Sequence, residues 1–214
     1  MNLPASAQRT ISIVAVLAAF TTYAQAGPPL LCHRIEIGQA KSLPLIDWTQ
    51  RDTGGYDLKR LSRDTLALLE PDTPVLVRME TLRRAAIYAR HDPQVAKELL
   101  TRLQARAADS DAAGRPDALA WFDAGYLAQT YKQWIGNVES NPATGVDGYA
   151  WVKRAIRLRG QDAELEFAAA FLTLSGPKGE HQDHVRKAIA GAKSDPLLAQ
   201  NLASNFHGQT VSEL

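Results

Sequence analysis

The stretch ALAWFDAGYLAQTY, residues 118–131, decides the fold. Wound at 100° per residue, it puts Ala118, Trp121, Ala124, Gly125, Ala128 and Tyr131 on one broad face. Leu119, Phe122 and Tyr126 form a second apolar stripe on the other side. A helix that is apolar on two sides is held between neighbours rather than laid on a surface. Small residues at 124, 125 and 128 let another helix come close. Such a helix cannot stand alone, so its surroundings should be helical as well.

They read that way from Asp57 onward. Leu58, Leu61, Thr65, Leu68 and Leu69 keep helical spacing up to Glu70, where Pro71 stops the run. Thr73-Pro74 opens a second helix with a capping hydroxyl and a proline, and Val75, Met79, Leu82 and Ala86 trace its buried stripe. Asp92-Pro93 repeats the device for a third helix, with Val95, Leu99, Leu103 and Ala107 inward, and Ser194-Asp195-Pro196 uses it again near the C-terminus. Further helices are expected near 116–134, 147–159, 162–174 and 180–192, with Gly160 between two of them and Asp162 capping the next. No strand-like segment interrupts the series. The expected fold is all-α, about eight helices in antiparallel hairpins, arranged as an α-array or a compact bundle.

The chain before Asp57 differs. Residues 1–26 read as a signal peptide: Arg9, an apolar run ISIVAVLAAF over 11–20, and Ala24-Gln25-Ala26 before Gly27. The run is too short for a membrane span, which needs about 20 apolar residues. Cys32 follows Leu31, and that large residue excludes a lipoprotein cleavage site. The mature protein is therefore expected to be exported, periplasmic or extracellular, with no stable membrane insertion. Residues 33–56 lack a helical period, with a short strand-like alternation at 33–37, and 27–56 are read as an extended N-terminal arm with Trp48 as an anchor on the helices. The helical domain runs over 57–208, and 209–214 is a C-terminal tail.

The chain carries 24 Lys+Arg and 23 Asp+Glu, with one of the basic residues in the leader. That balance argues against a dedicated nucleic-acid binder. A single cysteine cannot close an internal disulfide, so the domain stands on packing.

Residues 118–131, with Trp121, Ala124, Gly125 and Ala128 in a large-x-x-small-Gly-x-x-small order, resemble the first helix of a tetratricopeptide repeat. GYAWVKRAIRL, residues 148–158, is similar to a second helix of that repeat or of its Sel1-like relative. The likeness covers about a quarter of the mature chain. It departs from the family in a long loop between the two helices and in helix starts at 74, 116, 162 and 196, which lack a constant period. The resemblance implies a protein or peptide as partner.

Three constellations bear on function. Trp121, Tyr126, Tyr131, Trp134, Tyr149 and Trp151 cluster in sequence and either fill the core or line a groove for a partner, with Tyr126 and Trp134 expected to be partly exposed beside Asp123, Thr130 and Gln133. His181 and His184, at i and i+3 in EHQDH, either begin a solvated helix or give two ligands to a metal, with His33, His91 or His207 as a distant third. Cys32-His33 supplies too few ligands for zinc and no cysteine pair for haem; it is read as packed under the arm or as the site of a Cys32-linked dimer. Arg78, Arg83, Arg84 and Arg90 are read as solvated or ion-paired faces of one helix, and Glu164 and Glu166, two apart, as pointing in different directions.

Elbow, phosphate-loop, dinucleotide and His-Glu-x-x-His motifs are all missing. No cofactor is expected. The leading expectation is an exported, non-catalytic binding or scaffolding protein with a helical groove for a protein or peptide. The alternatives are a small exported metal-binding protein or enzyme using His181 and His184, and an envelope component that assembles through its arm.

Overall fold

The computed structural model describes residues 34–44, 55–136, 139–176 and 178–206. The leader, Cys32-His33, Trp48, His207 and the 209–214 tail lie outside the described residues. Among the described residues there are eight α-helices and no strand: α1 Leu61–Leu68, α2 Val75–Ala89, α3 Pro93–Ala112, α4 Ala118–Trp134, α5 Gly148–Arg159, α6 Ala163–Leu172, α7 Lys178–Ala192 and α8 Pro196–Asn205. A 3-10 turn over Leu58–Arg60 leads into α1. The fold is all-α.

Aspartates set most helix starts. Asp92, Asp117, Asp147, Asp162 and Asp195 each accept a backbone N–H from the first turn of α3, α4, α5, α6 and α8, at 2.9–3.2 Å. Thr73 departs from this pattern. Its hydroxyl donates back to Leu68 O at 3.0 Å, and Pro74 is the cap residue of α2. The orphan N–H of Leu76 goes instead to Glu164 Oε2, 3.2 Å away on α6. A carboxylate from a distant helix thus caps α2, and burial raises the pKa of that carboxyl above its ordinary value.

Helix α2 is the centre of the molecule. It packs against α1, α3, α4 and α6, and every residue from Val75 to Ala89 except Arg84 is buried. Arg78 and Arg83 are therefore inside, contrary to the solvated faces expected of them; only Arg84 is half-buried and only Arg90 exposed. The burial is possible because each cation meets partners. Arg78 donates to Asp123 Oδ2 at 2.6 Å, to Thr73 O at 2.9 Å and to Glu70 O. Arg83 Nη1 lies 3.6 Å from Glu80 Oε2.

Helix α4 lies between α2 and α3 on one side and α5 on the other, as its two apolar stripes require. Its contact with α5 is at Gly125, where an added Cβ would sit 2.5 Å from Gly148 O. The remaining helices continue the pairing, α6 with α7 and α7 with α8.

Residues 34–44 lie over α2 and α8. Ile35 and Leu43 are each 1% exposed. The Glu36 backbone is bound at both ends by Asn201, whose Oδ1 accepts from Glu36 N at 2.8 Å and whose Nδ2 donates to Glu36 O at 2.9 Å. Asn201→Ala should cost about 1–2 kcal/mol by losing both bonds. Hydrogen exchange at Glu36 N–H should accelerate in that variant, and unchanged protection there would mean that the clamp holds nothing.

Candidate functional site

The expected site residues divide by burial. Tyr126 and Tyr131 are 0% exposed, and neither hydroxyl has a hydrogen-bond partner among the described residues. Burial raises the pKa of both phenols. The expected partial exposure of Tyr126 is corrected for a definite reason. Its polar neighbours Asp123 and Thr130 face inward: Asp123 meets Arg78, and Thr130 donates to Tyr126 O at 2.8 Å. Tyr126 itself stacks on Phe122 at 5.4 Å. These two tyrosines belong to the core.

The other four aromatics are half-buried. Trp121 and Trp151 meet edge to face at 5.8 Å, bringing α4 and α5 together. Arg154 lies 4.3 Å over the Trp121 ring, and both residues reach Asp111, through Trp121 Nε1 at 3.1 Å and Arg154 Nη2 at 2.6 Å. Trp134 stands apart under Arg90, at 4.9 Å. Tyr149 belongs to a different group.

That group joins α5, α6 and α7. Asp147 caps α5 and so sets Tyr149 in its first turn, while α7 begins at Lys178 and turns His181 and His184 inward. The histidines are 6% and 7% exposed, so the solvated helix start expected for them is corrected: both sit in the second turn, on the face against α6. His184 Nδ1 bonds Glu166 Oε2, and its Nε2 lies 2.7 Å from the Tyr149 hydroxyl. Tyr149 donates to Glu180 Oε1 at 2.7 Å. Lys153 stands 4.5 Å over the Tyr149 ring and 3.6 Å from Glu180, and Lys187 bonds Asp183 at 2.7 Å and lies 3.7 Å from Glu166. Burial, then the Glu180 hydrogen bond, raises the Tyr149 pKa; that same bond lowers the pKa of Glu180.

His181 goes elsewhere. Its Nδ1 lies 3.0 Å from Ala170 O, and since a carbonyl only accepts, Nδ1 carries the proton. The two rings therefore share a face but have separate partners. Among the described residues no group of three or more His, Cys, Asp or Glu side chains is placed to hold a metal ion. Glu166 is the member least legible in the sequence. Its one signal is an acid inside the apolar run LEFAAAF, since a carboxylate on a buried helix face needs a partner. His184→Ala should cost about 2 kcal/mol, because it leaves Glu166 with a buried acceptor unfilled. Thermal melts of this variant check the figure, and an unchanged midpoint would contradict it.

Beside this group a cleft of about 610 Å³ opens between the end of α5, the start of α6 and the end of α7. Ile156, Ala163 and Ala190 give it apolar walls, Arg157 and Lys187 give it cations, and Glu166 forms part of its lining. Glu166 thus connects the cleft to the His184–Tyr149 pair. Among the described residues, no helix is long and apolar enough to cross a membrane. No protein-family model, no curated protein and no solved structure matches the chain.

Proposed function

We propose that the chain is an exported, non-catalytic binding module of tetratricopeptide-like helical hairpins, and that it holds a protein or peptide partner at the α5–α6–α7 face. The cleft carries this reading. Its volume is in the range of sites that enclose a ligand, about 300–1,000 Å³. Its walls suit a short apolar segment, and the exposed Arg157 suits a carboxylate on that segment, the cleft's other charges Asp162, Glu166 and Lys187 being ion-paired within the protein. Half-buried Tyr149 on α5 extends the face with rigid aromatic area, the residue class that dominates binding energy at interfaces.

A polar group lies beside the cleft. The polar atoms of His184 and the Tyr149 hydroxyl are engaged with each other and with Glu166 and Glu180. That group joins α5, α6 and α7, and the cleft beside it receives the partner. Arg157→Glu reverses the charge of an exposed residue in the cleft. It should weaken a partner at least tenfold while the melting curve stays that of the wild type; binding that survives the reversal would move the site elsewhere.

A further inference from the structure

The groove that holds residues 34–44 reads backbone atoms. Asn201 on α8 uses both ends of its amide on Glu36, at 2.8 and 2.9 Å. Glu80 on α2 accepts from Ile35 N at 3.0 Å, Arg84 donates to Leu43 O at 2.6 Å, and Tyr88 donates to Pro44 O. None of these bonds depends on the segment's side chains; one further bond, between Ser42 Oγ and Thr81 Oγ1 at 3.0 Å, does. Two apolar anchors, Ile35 and Leu43, add selectivity from buried positions. A sheet edge holds an added strand by the same division of labour, main-chain bonds for affinity and pockets for specificity. Here helix side chains take the place of the edge.

We propose that this groove is a second binding site and that its occupant in an assembly is the arm of another copy of the chain. The arm is a ligand that every copy carries, joined to the helices through residues 45–54. An identical arm from a second molecule makes the same bonds and fills the same anchor positions. Each copy offers one groove and one arm, so mutual exchange closes into a two-fold dimer. Because a short tether gives the cis arm an effective concentration of about millimolar, exchange emerges towards about 1 mM protein.

Two full-length variants test this. Asn201→Leu removes the clamp and keeps the arm; Ile35→Asp spoils the arm and keeps the groove. Light scattering should show wild-type dimers increasing with concentration, both variants monomeric, and a dimer restored when the two are mixed, since one intact arm then meets one intact groove. A wild type that stays monomeric throughout, or dimers that persist in both variants, would overturn the proposal. If either variant fails to fold, a peptide of residues 34–44 added in excess to the wild type decides: loss of dimers supports exchange, and dimers unaffected by the peptide overturn it. Loss of partner binding at Arg157 leaves this result unchanged.

Discussion

Arg78→Ala should cost about 3–5 kcal/mol at pH 8, because it strands the Asp123 carboxylate in the core. Both side chains are fully buried, and Arg78 also closes the turn before α2 through the carbonyls of Glu70 and Thr73. Burial pushes the Asp123 carboxyl up to about 7, against the opposing pull of Arg78. Its folded pKa thus lies above the value of about 3.9 in an unfolded chain. The folded state holds the extra proton between those values, so the stability that this group contributes is full below about 4 and is lost as pH rises through about 7. The Arg78→Ala penalty should accordingly be smaller at pH 5, where Asp123 is protonated. Asp123→Asn keeps an acceptor for Arg78 and should remove this group's pH dependence. Denaturant titrations of the three proteins at pH 5 and pH 8 measure all of it; equal penalties at both values would show that Asp123 does not titrate in this window.

Gly125→Val should be as damaging for a different reason. The added Cβ would stand 2.5 Å from Gly148 O and 3.0 Å from both Trp151 Cβ and Val152 N. Two of those three atoms are α5 backbone, so relief requires the helices to separate. Overpacking costs about 1–3 kcal/mol and more where backbone must move, and loosening α4 from α5 also disturbs the Trp121–Trp151 contact. Gly125→Ala should be destabilising as well, although alanine gains about 1 kcal/mol in helix propensity. Gly179 in α7 is the control: nothing lies within 4 Å of its added Cβ, so Gly179→Ala should stabilise by up to about 1 kcal/mol. Urea midpoints that fall for Gly125 and rise for Gly179 establish the close approach. Similar midpoints at both positions would refute it.

What the sequence shows clearly is local. Asp92, Asp162 and Asp195 cap the helices they were expected to cap because an N-cap interaction spans only two or three residues. The two apolar sides of α4 follow from its period, and both are covered. What the sequence hides is which polar residue finds a partner from a distant helix. Arg78 reads as a surface cation until Asp123, forty-five positions on, is placed against it. Asp123 in turn makes its side of α4 look wet, so the sequence reads Tyr126 as partly exposed where the packing buries it. Glu164 and Glu166 do point apart, as their spacing requires, but their destinations, Leu76 N and His184, depend on how α6 meets α2 and α7. Tyr149 and His184 lie thirty-five positions apart and belong to separate constellations in the sequence; only the packing of α5 on α7 makes them one group.

The most direct test of the binding reading is affinity capture from whole-cell extract, run in parallel with wild type, Ala190→Phe, which fills the cleft from an exposed position, and Arg157→Glu, with metal analysis of each sample. The account predicts a stoichiometric partner on the wild type that is lost from both variants while their melting curves are retained. A capture profile identical across all three proteins, or bound metal with no partner at all, would contradict it.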